Sequence, residues 1–292
     1  MQSNNPVFRN SDEFNGRASN AYGNQVYGAG GAGYPGYGQS PTVPDPSTWG
    51  TGRPGTPTHT ERSTGPMTID SVVQKTGVSL LVLLVAAFAT WVMTPAIGNG
   101  LTQHANQLYG AMAIGGLGAF GLSMVNSFKR VISPALVLAF CALEGVALGA
   151  FSKYFESQYG HGIVIQAVIG TFAAFAGTLA AYKFFNIKVS SKFRMGVIAA
   201  MFGMVGLVVL QLVVGLFGGD LGIASVTGIG FVFSLLGLVL GILMLILDFD
   251  FVENGVRAGL PERESWRAAF GLTVSLVWIY TNLLRILAFT RR

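Results

Sequence analysis

Two aspartates, Asp248 and Asp250, stand at the end of the apolar run from Phe231 to Leu247, which contains no other charge. A carboxylate near a bilayer core is costly, about 2.5–3.5 kcal/mol at the centre of a spanning helix on insertion scales. Acids in such positions therefore usually face the interior of a helix bundle and serve a path for ions or protons. This junction is the first candidate site, and its chemistry is that of an ion or proton.

Helical geometry separates the two aspartates. At about 100° per residue, positions two apart point to nearly opposite sides of a helix. Ser234, Gly237 and Gly241 form a stripe of small residues, and Asp248 follows Gly241 by two helical turns. We therefore predict that Asp248 faces a neighbouring helix, whereas Asp250 points away, toward the cytoplasmic rim or another helix.

A second polar stripe lies in the last apolar segment. Ser275 is followed at offsets of three, seven and ten by Trp278, Asn282 and Arg285. This spacing places four hydrogen-bonding side chains on one face, which predicts that the face looks inward. The alternative is structural: hydrogen bonds between helices, with Arg285 extending to the exterior interface.

Glu144 is the only acid in the middle of its apolar segment, and it stands beside Gly145. It is a second candidate for an internal ion or proton site. The alternative is a structural group that stays neutral or pairs with an arginine.

Composition indicates what must position these residues. Of 292 residues, 51% are hydrophobic and only 11% are charged, against roughly 25% charged in a soluble domain. Seven apolar runs approach the ~20 residues that span a bilayer. We predict an all-α polytopic membrane protein in the lipid bilayer with seven transmembrane helices. The predicted spans are Gly77–Met93, Leu108–Val125, Pro134–Ser152, Ile163–Phe184, Met195–Phe217, Ala224–Leu247 and Trp266–Phe289.

Residues 1–66 differ in composition, since they are rich in Gly, Tyr, Pro and Ser. Such a segment does not bury a core and is typical of a disordered tail. We therefore predict a disordered cytoplasmic tail over 1–66 and a membrane domain over 67–292.

Lysine and arginine in short loops predict the orientation. Basic residues follow the second, fourth and sixth spans, which predicts that these loops and the amino terminus are cytoplasmic in a multi-pass protein of the cell membrane. Arg291 and Arg292 at the other end disagree, and a short or re-entrant last span would resolve the conflict. The loops also explain the net charge of +5 without nucleic acid.

Several classes are disfavoured by residue type. No lysine follows Arg194, which argues against a retinal protein, and the histidines at 59, 104 and 161 fall in the tail or exterior loops. A buried serine–histidine pair and haem ligation are therefore both disfavoured. We predict that the protein is not an enzyme and has no cofactor or small-molecule substrate.

Three motifs resemble one known family. They are the segment from Ser133 to Gly145, the segment from Leu247 to Gly255, and the closing Asn282-Leu-Leu-Arg-Ile-Leu287. Together they resemble the Bax inhibitor-1 family, the transmembrane Bax inhibitor motif proteins, whose bacterial members include the YccA-like proteins. The resemblance covers roughly residues 70 to 290 and leaves the tail outside.

The resemblance implies a seven-helix fold whose last helix is surrounded by the other six. It also implies a pH-sensitive calcium leak, or modulation of a membrane protease, with two proton-sharing aspartates on the sixth and seventh helices. Asp248 matches the first aspartate, but the position aligned with the second is Ser275, which cannot ionise. Glu144 or Asp250 is a conjectured substitute, and any calcium site at Asp248 is expected to be weak.

Three alternatives remain open: an ion-conducting leak, a secondary transporter, and a non-conducting regulator that binds another membrane protein such as a protease. The sequence shows no convincing internal repeat, which lowers the odds of a transporter.

Overall fold

The structure, a computed structural model, describes residues 65–94, 101–185, 187–223, 225 and 228–291; for 101–105 it describes the backbone only. The tail predicted over residues 1–66 lies almost wholly outside the described residues.

Seven helices, each long and apolar enough to cross a bilayer, confirm the predicted class and number of spans. The shortest has 22 residues, which at 1.5 Å per residue exceeds a hydrocarbon core of about 30 Å. The helices are α1 (Ile69–Met93), α2 (Leu101–Phe128), α3 (Pro134–Tyr159), α4 (Ile163–Phe184), α5 (Ser191–Leu216), α6 (Gly228–Arg257) and α7 (Glu264–Thr290).

Most helices extend beyond their apolar runs. Helix α1 begins eight residues before the predicted Gly77, because Thr68 and Ser71 form a reciprocal capping box that satisfies otherwise unpaired backbone N–H groups. Helix α6 continues ten residues past the predicted Leu247. Asp248 and Asp250 therefore lie within a helix and not at its end.

The last helix, α7, is the most buried of the seven. It packs against α1, α3, α4 and α6, whereas α2 packs on α3 and α5 packs on α6 in the described chain. The last helix is therefore central, but it contacts four of the six helices that the resemblance placed around it. With 27 residues, α7 is a full-length span, so the idea of a short last span is wrong.

Small residues allow α3 to approach two neighbours. A Cβ atom added at Gly149 would lie 2.9 Å from the Cα atom of Ala87 in α1. One added at Gly115 in α2 would lie 2.7 Å from the backbone nitrogen of Ala147 in α3. These glycines therefore allow close helix packing.

Helix α5 behaves differently. A Cβ atom at Gly203 or Gly206 would meet no atom within 4 Å, so these two glycines do not serve close packing against a described neighbour. Only Val197 and Met204 of this helix are buried. Most of α5 therefore faces lipid.

A short segment before α1, residues 65–68, is bonded to the α6–α7 loop, and we call it the strap. The Met67 N–H donates to the Leu260 carbonyl at 2.6 Å, and the Glu262 N–H donates to the Gly65 carbonyl at 2.9 Å. Met67 is 1% exposed and packs in the core. Lys75 adds an ion pair to Glu262 at 2.9 Å. The strap therefore fixes the start of α1 to the turn between the last two helices.

The packing of α3 on α1 gives a first prediction. Gly149→Leu should strongly destabilise the protein, because the new side chain meets the backbone of Ala87 and the two helices must separate. Thermal unfolding in detergent would measure the loss.

The matched control is Gly203→Leu, which adds the same side chain where the structure leaves open space. Equal unfolding temperatures for the two variants would contradict the packing described for Gly149.

Candidate functional site

The contact between α6 and α7 brings Asp248 to Ser275. The Ser275 hydroxyl donates to Asp248 Oδ2 at 2.5 Å. A Cβ atom at Gly271, one turn earlier on α7, would lie 3.0 Å from Asp248 Oδ1. The carboxyl group therefore rests on a surface of α7 made by a glycine and a serine, as the small-residue stripe predicted.

Two further members of the predicted polar stripe, Trp278 and Asn282, also face α6. Trp278 Nε1 donates to the Gly237 carbonyl at 2.8 Å. Asn282 Nδ2 donates to the Trp278 carbonyl at 2.7 Å, and its amide packs on Gly237. A Cβ atom at Gly241 would lie 3.1 Å from Trp278 Cδ1. The two helices are therefore tightly packed beyond the Asp248–Ser275 contact.

Arg285, the last member of the stripe, is half-buried and packs on α3. Its guanidinium carbon lies 5.9 Å from the centre of the Phe151 ring, a cation–π geometry. Its Nε atom is buried without a hydrogen-bond partner in the described structure. Arg285 is therefore remote from Asp248 along α7 and takes no part in that contact.

Asp248 lies on the wall of a cavity of about 330 Å³. The cavity is at the end of the bundle where the α2–α3, α4–α5 and α6–α7 loops lie, which we call the basic end. Residues from the end of α2, the α2–α3 loop, α6 and the start of α7 line it. They are Asn126, Ser127, Ile132, Asp248, Phe251, Arg267, Ala268, Phe270 and Gly271. Asp248 is thus accessible from one end of the bundle.

Asn126 is the second polar group of the cavity, and sequence reasoning missed it. The residue is 4% exposed, and neither its Nδ2 nor its Oδ1 atom has a hydrogen-bond partner in the described chain. A buried amide without partners costs about 1–3 kcal/mol on protein mutational scales. Asn126 therefore brings an amide without a bonding partner among the described residues to the wall of the Asp248 cavity. Asn126 directly follows Val125, the predicted end of a span, and this position was the sequence feature that could have marked it as a candidate.

Arg267 supplies a positive charge to the same cavity. Its Nη2 atom donates to the Arg130 carbonyl at 2.8 Å, and its Nε atom lies 3.1 Å from Glu264 Oε2. The guanidinium is thus partly neutralised and ties the start of α7 to the α2–α3 loop. Arg267 falls inside the predicted seventh span but outside its polar stripe.

Asp250 lies on the other side of α6, as the helical geometry predicted. It is 7% exposed and bonded by Arg194 of α5 at 2.6 Å. One turn further, Glu253 accepts from the Tyr182 hydroxyl at 2.6 Å and pairs with Arg257. The structure therefore places Asp250 in an ion pair that joins helices and does not bring it to Asp248.

Glu144 is half-buried on α3 and stands apart from this site. It makes no hydrogen bond or ion pair with any described residue, so no arginine pairs with it there. Helix α3 does not contact α6 in the described structure, and Glu144 does not line the Asp248 cavity. The structure therefore does not unite the two candidate acids.

No group of three or more His, Cys, Asp or Glu side chains within the described ranges is placed to hold a metal ion. Calcium takes six to eight oxygen ligands in its usual protein sites. Asp248, Ser275 and Asn126 offer fewer side-chain oxygens than such a site uses.

The sequence matches the Bax inhibitor 1 like family over residues 5–292, nearly the whole chain. The chain belongs to this family. Its match starts well before residue 70, so the family likeness also includes most of the amino-terminal segment that the three motifs left outside. No curated protein matches the chain. Membership in the Bax inhibitor 1 like family agrees with the seven spanning helices found here.

The unpartnered amide of Asn126 gives a second prediction. Asn126→Leu should raise the stability of the protein by about 1–3 kcal/mol, because it replaces a buried polar group without partners by an apolar group of similar size. Denaturant or thermal unfolding in detergent would measure the gain.

Ser127→Leu, an adjacent change at an exposed position, is the control and should have little effect on stability. A loss of stability in Asn126→Leu alone would mean that the amide is bonded in the folded protein.

Proposed function

We propose that this Bax inhibitor 1 like protein is a pH-responsive cation leak whose ion site is Asp248. One observation supports the proposal above others. The Asp248 carboxyl group lies where a cavity of about 330 Å³, which Asn126 and Arg267 also line, meets the tightly packed α6–α7 interface. The protein thus acts in transport and not in catalysis.

The charge of Asp248 controls the leak. When the carboxyl group is ionised, it attracts a cation from the cavity, because the surrounding helices screen the interaction less than bulk water does. When it is protonated, that attraction is lost. Since Ser275 does not ionise, the site takes up one proton and is not a coupled pair of carboxylates. Flux therefore falls as acid neutralises Asp248.

The described conformation is closed beyond Asp248. The bond from Trp278 to the Gly237 carbonyl and the contact of Asn282 with Gly237 close the interface there. An ion crosses only if α6 and α7 separate along this stretch. The leak thus requires a second conformation, whose population Asp248 controls through its contact with Ser275.

The basic end faces the cytoplasm of the cell membrane in this proposal. Lys129, Lys188 and Arg263 lie in its loops, and cytoplasmic loops carry an excess of lysine and arginine. The amino terminus and the Asp248 cavity are then on the cytoplasmic side.

Calcium flux into proteoliposomes tests the leak. The wild type should conduct with a rate that falls from mildly alkaline to acidic pH, and Asp248→Asn should conduct less and lose the pH dependence. Asn keeps an acceptor for Ser275 but carries no charge. Asp250→Asn, the same change two residues away on the Arg194 side, is the matched control and should keep the pH response.

An Asp248→Asn variant that conducts like the wild type at every pH would overturn the proposal, and so would an equal loss of pH response in Asp250→Asn.

The second candidate is a non-conducting regulator that binds another membrane protein. Two observations favour it: a serine occupies the position where the resemblance expects a second carboxylate, and α5 leaves most of its apolar surface without a protein neighbour. Wild-type protein without flux, together with flux in Ser275→Asp, would favour the regulator. Flux in the wild type would contradict a non-conducting regulator.

A further inference from the structure

A second cavity, of about 490 Å³, lies between α1 and α4, and we call it the lateral groove. These two helices do not contact each other in the described structure. The floor is formed by α3 and α7, which contribute Leu148, Leu276 and Val277. The groove is separate from the Asp248 cavity, with which it shares no lining residue.

The rim of the lateral groove is apolar and exposed. Leu84 and Phe88 of α1 are 50% and 69% exposed, and Ile165 and Phe172 of α4 are 65% and 50% exposed. All four lie within membrane-spanning helices. The groove therefore opens sideways toward the hydrocarbon core and is continuous with the lipid-facing surface.

The hydroxyl and carboxyl groups of the groove are already bonded within the protein. Ser152 and Tyr280 share a hydrogen bond of 2.6 Å. Glu156 accepts from backbone N–H groups before and within the first turn of α4, at 2.5 and 3.2 Å. The Thr171 hydroxyl donates to a carbonyl of its own helix. Because these groups have partners, the lining favours an apolar occupant over a polar one.

The length of the groove matches one leaflet. Its α1 wall runs from Leu80 to Trp91, about 17 Å along a helix, and half of the hydrocarbon core is about 15 Å. At the Trp91 end, Lys153 donates to the Trp91 carbonyl at 2.7 Å and lies 5.9 Å from the centre of its ring. Tryptophan and lysine are typical of the level of the lipid headgroups.

We propose that the lateral groove binds one acyl chain of a membrane phospholipid, from the leaflet at the Trp91 end. The chain enters between Phe88 and Phe172 and rests on Leu276 and Val277 of α7. Leu276 directly follows Ser275, so the bound chain touches the helix that bonds Asp248. The site does not depend on whether the protein conducts ions.

Photolabelling in nanodiscs tests the site. The full-length protein is reconstituted in phosphatidylcholine that contains a photoactivatable diazirine on one acyl chain, and adducts are mapped by mass spectrometry. Labelling of groove residues should exceed that of equally exposed α5 residues such as Phe202 several-fold. Val168→Trp, which fills the groove from its α4 wall, should remove the excess.

Two further variants keep the test decisive. Ile165→Trp fills the groove from an exposed rim position, so it blocks the site even if Val168→Trp fails to fold. Val209→Trp on the exposed face of α5 is the matched control and should leave groove labelling unchanged.

Labelling equal to that of α5, or unchanged in both filling variants, would overturn the proposal and indicate ordinary lipid contact.

Discussion

The close approach of α6 to α7 is the contact on which the candidate site depends. Gly237 and Gly241 bring the helices near enough for Trp278 to bond a backbone carbonyl of α6. In a membrane, such hydrogen bonds and close packing hold helices together, because lipid supplies no hydrophobic force between them. This alignment is what places the Asp248 carboxyl group against Ser275. A bulkier residue at either glycine would move the two helices apart and break the contact between Asp248 and Ser275.

Much of this arrangement follows from residue order. The number of spans, the opposite faces of Asp248 and Asp250, and the inward side of Ser275 were all predicted, because each depends only on helical periodicity and on segment length. Most helix ends were not, since capping and polar turns extend helices beyond their apolar runs; both ends of α4 and the start of α3 did fall at the predicted residues. For the same reason Asp248 and Asp250 were placed at the end of a helix that continues to Arg257.

Contacts between segments distant in sequence were beyond such reasoning. Asn126 and Arg267 join Asp248 at one cavity although they come from α2 and α7, and no periodicity predicts which helix ends meet. Glu144 is the opposite case: the sequence singled it out, but the structure does not bring it to the site. An acid in an apolar run is unusual, but the run does not show which helix the acid faces. Gly203 is a similar case, since a glycine in a spanning helix permits close approach of a neighbour but does not require it.

The strap has a mechanical consequence. Two backbone hydrogen bonds clamp residues 65–68 to the α6–α7 loop, so the last two helices are joined at that end both by the loop and by the start of α1. A rotation that separates α6 from α7 and keeps these hydrogen bonds intact then pivots at this end. Asp248 lies nine residues from the end of α6 and Gly237 lies twenty, about 14 and 30 Å from the pivot. A small rotation thus moves the Trp278–Gly237 contact about twice as far as Asp248. The packed interface can therefore separate while the Asp248 carboxyl group moves little.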